Sequence, residues 1–305
     1  MAETVEPLRF DERVALITGA GRGVGREYAL LLAARGAAVV VNDLGTSPQG
    51  VDHSSEPAEQ VASAIRDAGG TAIADASSVA EQEGAHALVE RARSEFGRID
   101  ILIHNAGIVD GSFDQLMAVN LSAAYWLTEA AWPSMHTQQY GRILLTTSSA
   151  GLFGSANGPG YEPMQSYGAA KMGALGLGRS LAVRGRPSNI LVNMVTPNAY
   201  TRLVAGLPQS PNLQWMQRHS KPALVAPGCA YLVHESCPVS GETFAIGAGR
   251  MARIFIAQTA GYVNPDLTVE DVATHFREVC DEAGYHVPRD MKDVTDLYVQ
   301  TVGGS

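Results

Sequence analysis

RVALITGAGRGVGREYALLLAARG, Arg13 to Gly36, is the stretch on which the fold turns. Arg13–Thr18 is a short apolar run, glycines follow at 19, 23 and 25, and the segment after them has helical composition. Such glycines let the backbone turn tightly and approach an anion, which then meets the free N–H groups and dipole of the helix. Strand, glycine turn and helix in this order predict a dinucleotide site, with Gly19, Arg22, Gly23, Val24 and Gly25 as candidate contacts.

The next apolar run ends in Val41-Asn42-Asp43, placing a carboxylate 24 positions after Gly19, near the offset at which an acid takes a ribose 2′-hydroxyl. Asp43 repels a 2′-phosphate and favours NAD. Arg22 argues the other way, since a guanidinium in the glycine turn can reach a 2′-phosphate, or it simply faces solvent. Asp75 and Ala76, closing the third run, are further cofactor candidates.

Working outward, runs rich in Val and Ile recur from Arg13, Ala37, Thr71, Ile99, Gly141, Asn189 and Glu242, separated by longer segments of helical periodicity. That alternation predicts parallel strands joined by crossover helices. The strands are almost uniformly apolar, so both faces of the sheet should be covered. The expected fold is α/β, one doubly wound Rossmann-type sheet in residues 1–250, with a C-terminal helical extension, 251–305, packed on it. In the extension, TVEDVATHFREVCDEAG reads as a helix capped by Thr268 with Asp271 reaching back, and Val269, Val272, Ala273, Phe276 and Val279 form its apolar stripe. It is either an extra layer on the parent domain or part of a subunit contact or pocket wall.

Composition narrows the function. The chain has 305 residues, 46% hydrophobic and 17% charged, the profile of a compact globular protein. With a net charge of -9 and scattered basic residues it lacks the footprint of nucleic-acid binding. The three cysteines, Cys229, Cys237 and Cys280, have no paired spacing, and the eight histidines form no HExxH, so neither a disulfide framework nor a metal site is expected. No GxSxG elbow or Walker motif is present for acyl-enzyme or phosphoryl-transfer chemistry. The acidic start, MAETVEPLRFDER, lacks the pattern of a signal peptide, no apolar run reaches membrane length, and the end carries no SKL-type signal; a cytoplasmic location is expected.

The chemistry should lie around YGAAK, Tyr167–Lys171. An i, i+4 pair on a helix faces one way, so a phenol and an ammonium line one wall. A free phenol is too weak a base near neutrality, but an adjacent Lys and a cationic nicotinamide favour phenolate. Tyr167 can then exchange a proton with an alcohol or carbonyl while a hydride moves at the same carbon. Ser148, closing the strand GRILLTTS, can hold the substrate oxygen, and Asn120 can organise a water relay. His104 reads as a strand-end residue beside the cofactor.

With TGAGRGVG, NAG at Asn105–Gly107, Asn120, SxxG at Ser148–Gly151 and YxxxK at Tyr167–Lys171, the sequence resembles the short-chain dehydrogenase/reductases. The resemblance implies a catalytic set of Asn120, Ser148, Tyr167 and Lys171, with Lys171 also holding the nicotinamide ribose and Asn105, Ala106 and Gly107 beside the cofactor. VVVNDLG, EAAW, YGRI, PNA at Pro197–Ala199, HESC at His234–Cys237 and GAGR at Gly247–Arg250 are similar to the (3R)-hydroxyacyl-CoA dehydrogenase part of peroxisomal multifunctional enzymes and to stand-alone bacterial relatives. This narrower resemblance implies NAD-dependent oxidation of a 3-hydroxyacyl-CoA, adds Pro197 and Asn198 to the cofactor contacts, and implies a homodimer or homotetramer.

Two spacings depart from the family. Asn105 to Asn120 spans only 15 positions, implying a trimmed helix start, and Ser148 to Tyr167 spans 19, through SANGPGYEPMQS. Tyr161 in that loop is a candidate substrate residue, with Ser148, Leu203 and Trp215. Around the last two, Leu207, Leu213 and Met216 can cover an apolar acyl or ring system, while Arg202, Arg218 and Lys221 either bind acidic groups of coenzyme A or are ordinary solvated charges. Steroid, cyclic or aromatic alcohols are alternative substrates, and a non-catalytic NAD-binding sensor is the alternative class.

Overall fold

The computed structural model describes residues 6–46, 53–154, 164–206 and 209–302. The chain divides into two compact units, Met1–Arg253 and Ile254–Ser305.

The first unit alternates strand and helix: β1 (Val14–Thr18), α1 (Gly23–Ala34), β2 (Ala38–Asn42), α2 (Glu56–Asp67), β3 (Thr71–Asp75), α3 (Gln82–Phe96) and β4 (Ile101–His104). There follow α4 (Phe113–Met117), a π-turn at Ala118–Ser122, α5 (Ala123–Gln138), β5 (Gly141–Thr146), α6 (Ser149–Phe153), α7 (Met164–Gly185) and β6 (Ile190–Asn198). α8 (Arg202–Ala205), α9 (Pro211–His219), α10 (Ala226–Leu232), β7 (Thr243–Gly247) and β8 (Arg250–Ile254) complete it. The strands form one sheet in the order β3-β2-β1-β4-β5-β6-β7-β8, parallel from β3 through β7. The seven expected strands are all present. β8 is additional, reached from β7 through Ala248 and Gly249, both at positive φ (50° and 76°), a two-residue turn whose twist suits adjacent strands.

Side-chain parity along the strands builds two cores. Ala15 and Ile17, Val39 and Val41, and Ile101 and Ile103 face α1, α2 and α10 on one side. Leu16, Val40, Leu102, Ile143 and Leu145 face α3, α5 and α7 on the other. Burial on both faces is why the strands read as continuous apolar runs rather than alternating ones. The sheet order reverses between β1 and β4, so the chain leaves the carboxyl ends of these neighbours in opposite directions and a crevice opens there.

The second unit contains α11 (Val269–Val279) and α12 (Met291–Val302). Thr268 and Asp271 form the expected capping box, with Asp271 N donating to Thr268 Oγ1 at 3.1 Å and Thr268 N donating to Asp271 Oδ2 at 3.1 Å. α11 ends at Val279, short of the expected Gly284. Within the unit, the Tyr262 ring stacks on His275 and the Phe255 ring on Tyr285, and Gln258 bridges His286.

Ile103, fully buried in the strand that borders the crevice, sets a test of the sheet. Ile103→Ala is expected to lower unfolding free energy by about 2–5 kcal/mol, read as a shift of the urea midpoint.

Candidate active site

A cleft of about 790 Å³ opens at the carboxyl ends of the strands, lined by residues that follow β1, β2, β3, β4, β5 and β6. Gly19, Arg22, Gly23 and Val24 line it from the glycine turn, Asp43 from the end of β2, and Asn105, Ala106 and Gly107 from the end of β4. Thr146, Ser148, Tyr167, Lys171 and Pro197 line the other half. Four predicted cofactor residues lie off the cleft. Gly25 is a packing residue, because a Cβ there would stand 2.2 Å from Gly19 O. Asp75 spends its carboxylate on Asn42 Nδ2 (3.1 Å) and Ser77 N (2.7 Å), and with Ala76 it stands behind Ser77–Glu81, which line the cleft in their place. Asn198 turns away, its Oδ1 accepting from Ser220 Oγ at 2.7 Å, and Ala199 lines the cleft beyond it.

The nucleotide half fits a dinucleotide. Gly23, at φ +55°, begins α1, whose first turn has no acidic residue and whose N-cap, Arg22, makes no side-chain cap. Those free amides and the helix dipole are an anion site. Asp43, 8% exposed, accepts from Gly21 N (2.9 Å) and Gly45 N (2.8 Å), which fixes its carboxylate at the end of β2 while leaving lone pairs for hydroxyl groups.

At the junction of β1 and β4, Thr18 Oγ1 accepts from Asn105 N (3.1 Å) and Ala106 N (3.0 Å) and lies 3.1 Å from His104 Nδ1. Two amides already donate to this hydroxyl, so its own proton goes to Nδ1 and His104 carries its proton on Nε2. Burial, with Lys171 nearby, pushes His104 down to about 3, so the ring is neutral. Asn105 Nδ2 then holds the carbonyls of Thr18 (3.2 Å) and Gly19 (3.0 Å).

Asn120 sits in the π-turn, fully buried behind the cleft rather than in its wall. Its Nδ2 donates to Ile108 O (2.9 Å) and Leu116 O (3.0 Å), while Oδ1 has no partner. That oxygen and Lys171 Nζ lie 2.7 and 3.3 Å from where a Cβ on Gly107 would stand, so only glycine leaves the space between them.

Tyr167 and Lys171 lie one turn apart on α7, with Nζ 5.8 Å from the ring centroid. Nζ donates to Thr146 O at 3.0 Å, and Thr147 Oγ1 donates to Lys171 O at 2.6 Å, which pins α7 to the end of β5. Ser148, extended, caps α6 by accepting from Ala150 N (3.2 Å) and lines the cleft with Tyr167. Burial pushes the Tyr167 phenol up, and Ser148 opposes it. Burial also depresses the Lys171 ammonium, to about 8. In the protein alone, desolvation therefore outweighs the expected lowering of the phenol.

On the substrate side Leu203 lines the cleft, with Ile108, Val109 and Val204, which the sequence reading did not single out. Trp215 does not line it: it is 47% exposed and pairs with the His219 ring. Tyr161 and Leu207 lie outside the described residues. The three cations of this segment do not converge: Arg218 donates to Gln214 O on its own helix, Lys221 is exposed, and only Arg202 lines the cleft.

Residues 13–205 match the family described as short chain dehydrogenase. The chain is 38% identical, over 97% of its length, to peroxisomal multifunctional enzyme type 2 of Mus musculus, of which it spans 40%. It is 39% identical to a Mycobacterium tuberculosis protein named as a short-chain type dehydrogenase/reductase, with 90% of this chain and 96% of that protein aligned. The solved full-length peroxisomal multifunctional enzyme type 2 of Drosophila melanogaster superposes with a TM-score of 0.78 at 31% identity, over 97% of this chain and half of that one. The chain thus spans half or less of these multifunctional relatives. The expected cytoplasmic location does not stand against them: the mouse, fly, slime-mould and fungal relatives are named as peroxisomal proteins.

Lys171 carries a pH signature. Its value when unfolded is near 10.5 and when folded about 8, so the unfolded chain binds the extra proton between those pH values. Wild-type stability, relative to Lys171→Met without cofactor, should rise by about 3 kcal/mol from pH 8 to 10.5, measured by paired urea titrations.

Proposed function

The chain belongs to the short-chain dehydrogenase family and is an oxidoreductase of CH–OH groups using a nicotinamide cofactor, and on that premise we propose that it oxidises a 3-hydroxyacyl-CoA with NAD. The observation that carries the reaction is the convergence of Ser148, Tyr167 and Lys171 on one cleft wall, with Lys171 Nζ 5.8 Å from the Tyr167 ring centroid. Bound nicotinamide supplies the hydride acceptor. Ser148 orients the substrate hydroxyl, and Tyr167 as phenolate takes its proton while the carbinol carbon gives up its hydrogen with the electron pair, leaving the ketone. Lys171 stabilises the phenolate and holds the nicotinamide ribose. Asn120 Oδ1, unpartnered and facing the same space as Nζ, is the acceptor through which a water can carry the proton onward.

NAD is favoured because Asp43 is held at the end of β2, where a carboxylate accepts ribose hydroxyls and repels a 2′-phosphate. The acyl-CoA reading is supported by similarity to the multifunctional enzymes over almost the whole chain and by the apolar wall of Ile108, Val109, Leu203 and Val204.

Initial rates with NAD and NADP on (3R)- and (3S)-hydroxyacyl-CoA, a hydroxysteroid and a cyclic secondary alcohol test this. Turnover of an acyl-CoA with NAD is expected; activity only on free alcohols would overturn the substrate, and preference for NADP the reading of Asp43. Tyr167→Phe should lower kcat by about 10²–10⁴-fold with cofactor affinity unchanged in fluorescence titration. Full activity in that variant would remove Tyr167 from the chemistry.

A further inference from the structure

Three consecutive residues at the end of β5 act on the reacting side chains, and the middle one does so through the backbone. Thr146 O accepts from the Lys171 ammonium at 3.0 Å, and Ser148 lines the cleft beside Tyr167. Between them Thr147, 1% exposed, donates its hydroxyl to the Lys171 carbonyl at 2.6 Å. Thr147 is itself held by the sheet: its N–H donates to Val195 O at 2.8 Å, carrying the ladder between β5 and β6 one residue past Thr146. A β-branched side chain on such a backbone has few rotamers, so the hydroxyl is a fixed point of the sheet.

The Lys171 peptide is also where α6 meets α7. A Cβ on Gly151, in α6, would stand 2.8 Å from Gly168 O, 3.0 Å from Met172 N and 3.4 Å from Lys171 C, so α6 lies directly on the turn of α7 that carries the lysine. In mid-helix the Lys171 carbonyl is placed to accept from the residue four on, and its second lone pair is the one that Thr147 takes. β5, α6 and α7 thus converge on one peptide group. The lysine is held at both ends, by its carbonyl on Thr147 and by Nζ on Thr146 O, and its partners are neighbours on one strand. A lysine stem otherwise samples many rotamers; with both ends fixed, its ammonium reaches one place.

We propose that Thr147 is a positioning residue for proton transfer: through the Lys171 carbonyl it sets the reach of the ammonium beside Tyr167, and without its hydroxyl the ammonium settles farther out along the cleft wall. This deepens the proposed reaction and rests on it. Valine has the shape of threonine without the donor, and serine has the donor without the methyl, so the two variants separate the hydrogen bond from packing.

Two readouts on the full chain test it. Without cofactor or substrate, Lys171 is titrated by NMR through its ε carbon, the resonance being assigned by its loss in Lys171→Met. Burial holds the wild type at about 8; Thr147→Val should move it up toward the ordinary 10.5, and Thr147→Ser should leave it in place. In initial rates with NAD and whichever alcohol of the panel the wild type oxidises fastest, Thr147→Val should lower kcat by about tenfold, within what a displacement of about 1 Å costs. KM for that alcohol should stay within about twofold, and Thr147→Ser should restore most of kcat. Wild-type kcat in Thr147→Val, a lysine titration that does not move, or a loss that Thr147→Ser shares in full would overturn the proposal. Absence of wild-type turnover on every alcohol of the panel would instead remove the substrate reading, and the lysine titration then decides the place of Thr147 by itself.

Discussion

The hydroxyl of Thr18 is the point on which the cleft depends. β1 and β4 are adjacent, but their chains leave the sheet in opposite directions, and without a tie at that edge the glycine turn and the Asn105–Gly107 turn would be free to separate. Thr18 accepts two amides from the second turn, gives its proton to His104, and receives through Asn105 a return hold on the carbonyls of Thr18 and Gly19. One side chain thus fixes both turns against each other. Satisfying these groups internally matters because Thr18 and His104 are fully buried and an unmade hydrogen bond there costs about 1–3 kcal/mol. The neutral state of His104 belongs to the same arrangement, since a protonated ring would donate from Nδ1 and oppose the Thr18 proton.

Burial sets the terms for the chemistry as well. Lys171 is buried with a single backbone carbonyl as its acceptor, and the Tyr167 phenol is pushed up by the same loss of water. Each penalty is largest when one group is charged alone. Once Tyr167 gives up its proton, the phenolate supplies the counter-charge that Lys171 lacks, and the ammonium supplies the one that the phenolate needs. A bound cationic ring would add to the same field. In the protein alone, burial therefore opposes ionisation of the Tyr167 phenol and weakens the Lys171 ammonium.

How far the sequence could be read follows from what each residue's role depends on. Runs such as AAVVVN, buried on both faces, announce their strands without help, and the glycines of TGAGRGVG announce a turn because backbone geometry allows few alternatives. The i, i+4 spacing of Tyr167 and Lys171 is likewise local. What escaped was set by packing between distant segments. Asp75 looks like a ligand in sequence, yet its carboxylate is consumed by Asn42 and Ser77, whose approach depends on the pairing of β2 with β3. Trp215 has the composition of a pocket residue but lies on the outer side of α9. The π-turn around Asn120 is stabilised by its own amide capturing Leu116 O and Ile108 O, a choice that helical periodicity does not reveal. β8 escaped because its alternating exposure looks like a surface segment until the Ala248-Gly249 turn folds it onto β7.

Charge along the cleft gives it a direction. Asp43 is negative at the end of β2, held by two backbone amides, with Arg22 and Arg202 both donating to Thr46 O just beyond it; the α1 N-terminus carries the positive end of its helix dipole; Lys171 is positive beside Tyr167. A dinucleotide has hydroxyl-bearing sugars at both ends and its anions at the centre. Seated with its diphosphate on the α1 N-terminus, it would offer ribose hydroxyls to Asp43 on one side and to Lys171 on the other. Shifted by one sugar in either direction, it would place a phosphate against Asp43 or leave the α1 amides without an anion, and the first is penalised by like charge and the second by lost pairing. The sign of three groups would therefore fix the register of a bound cofactor, with its reacting end on the side of the Tyr167 phenol and the Ser148 hydroxyl.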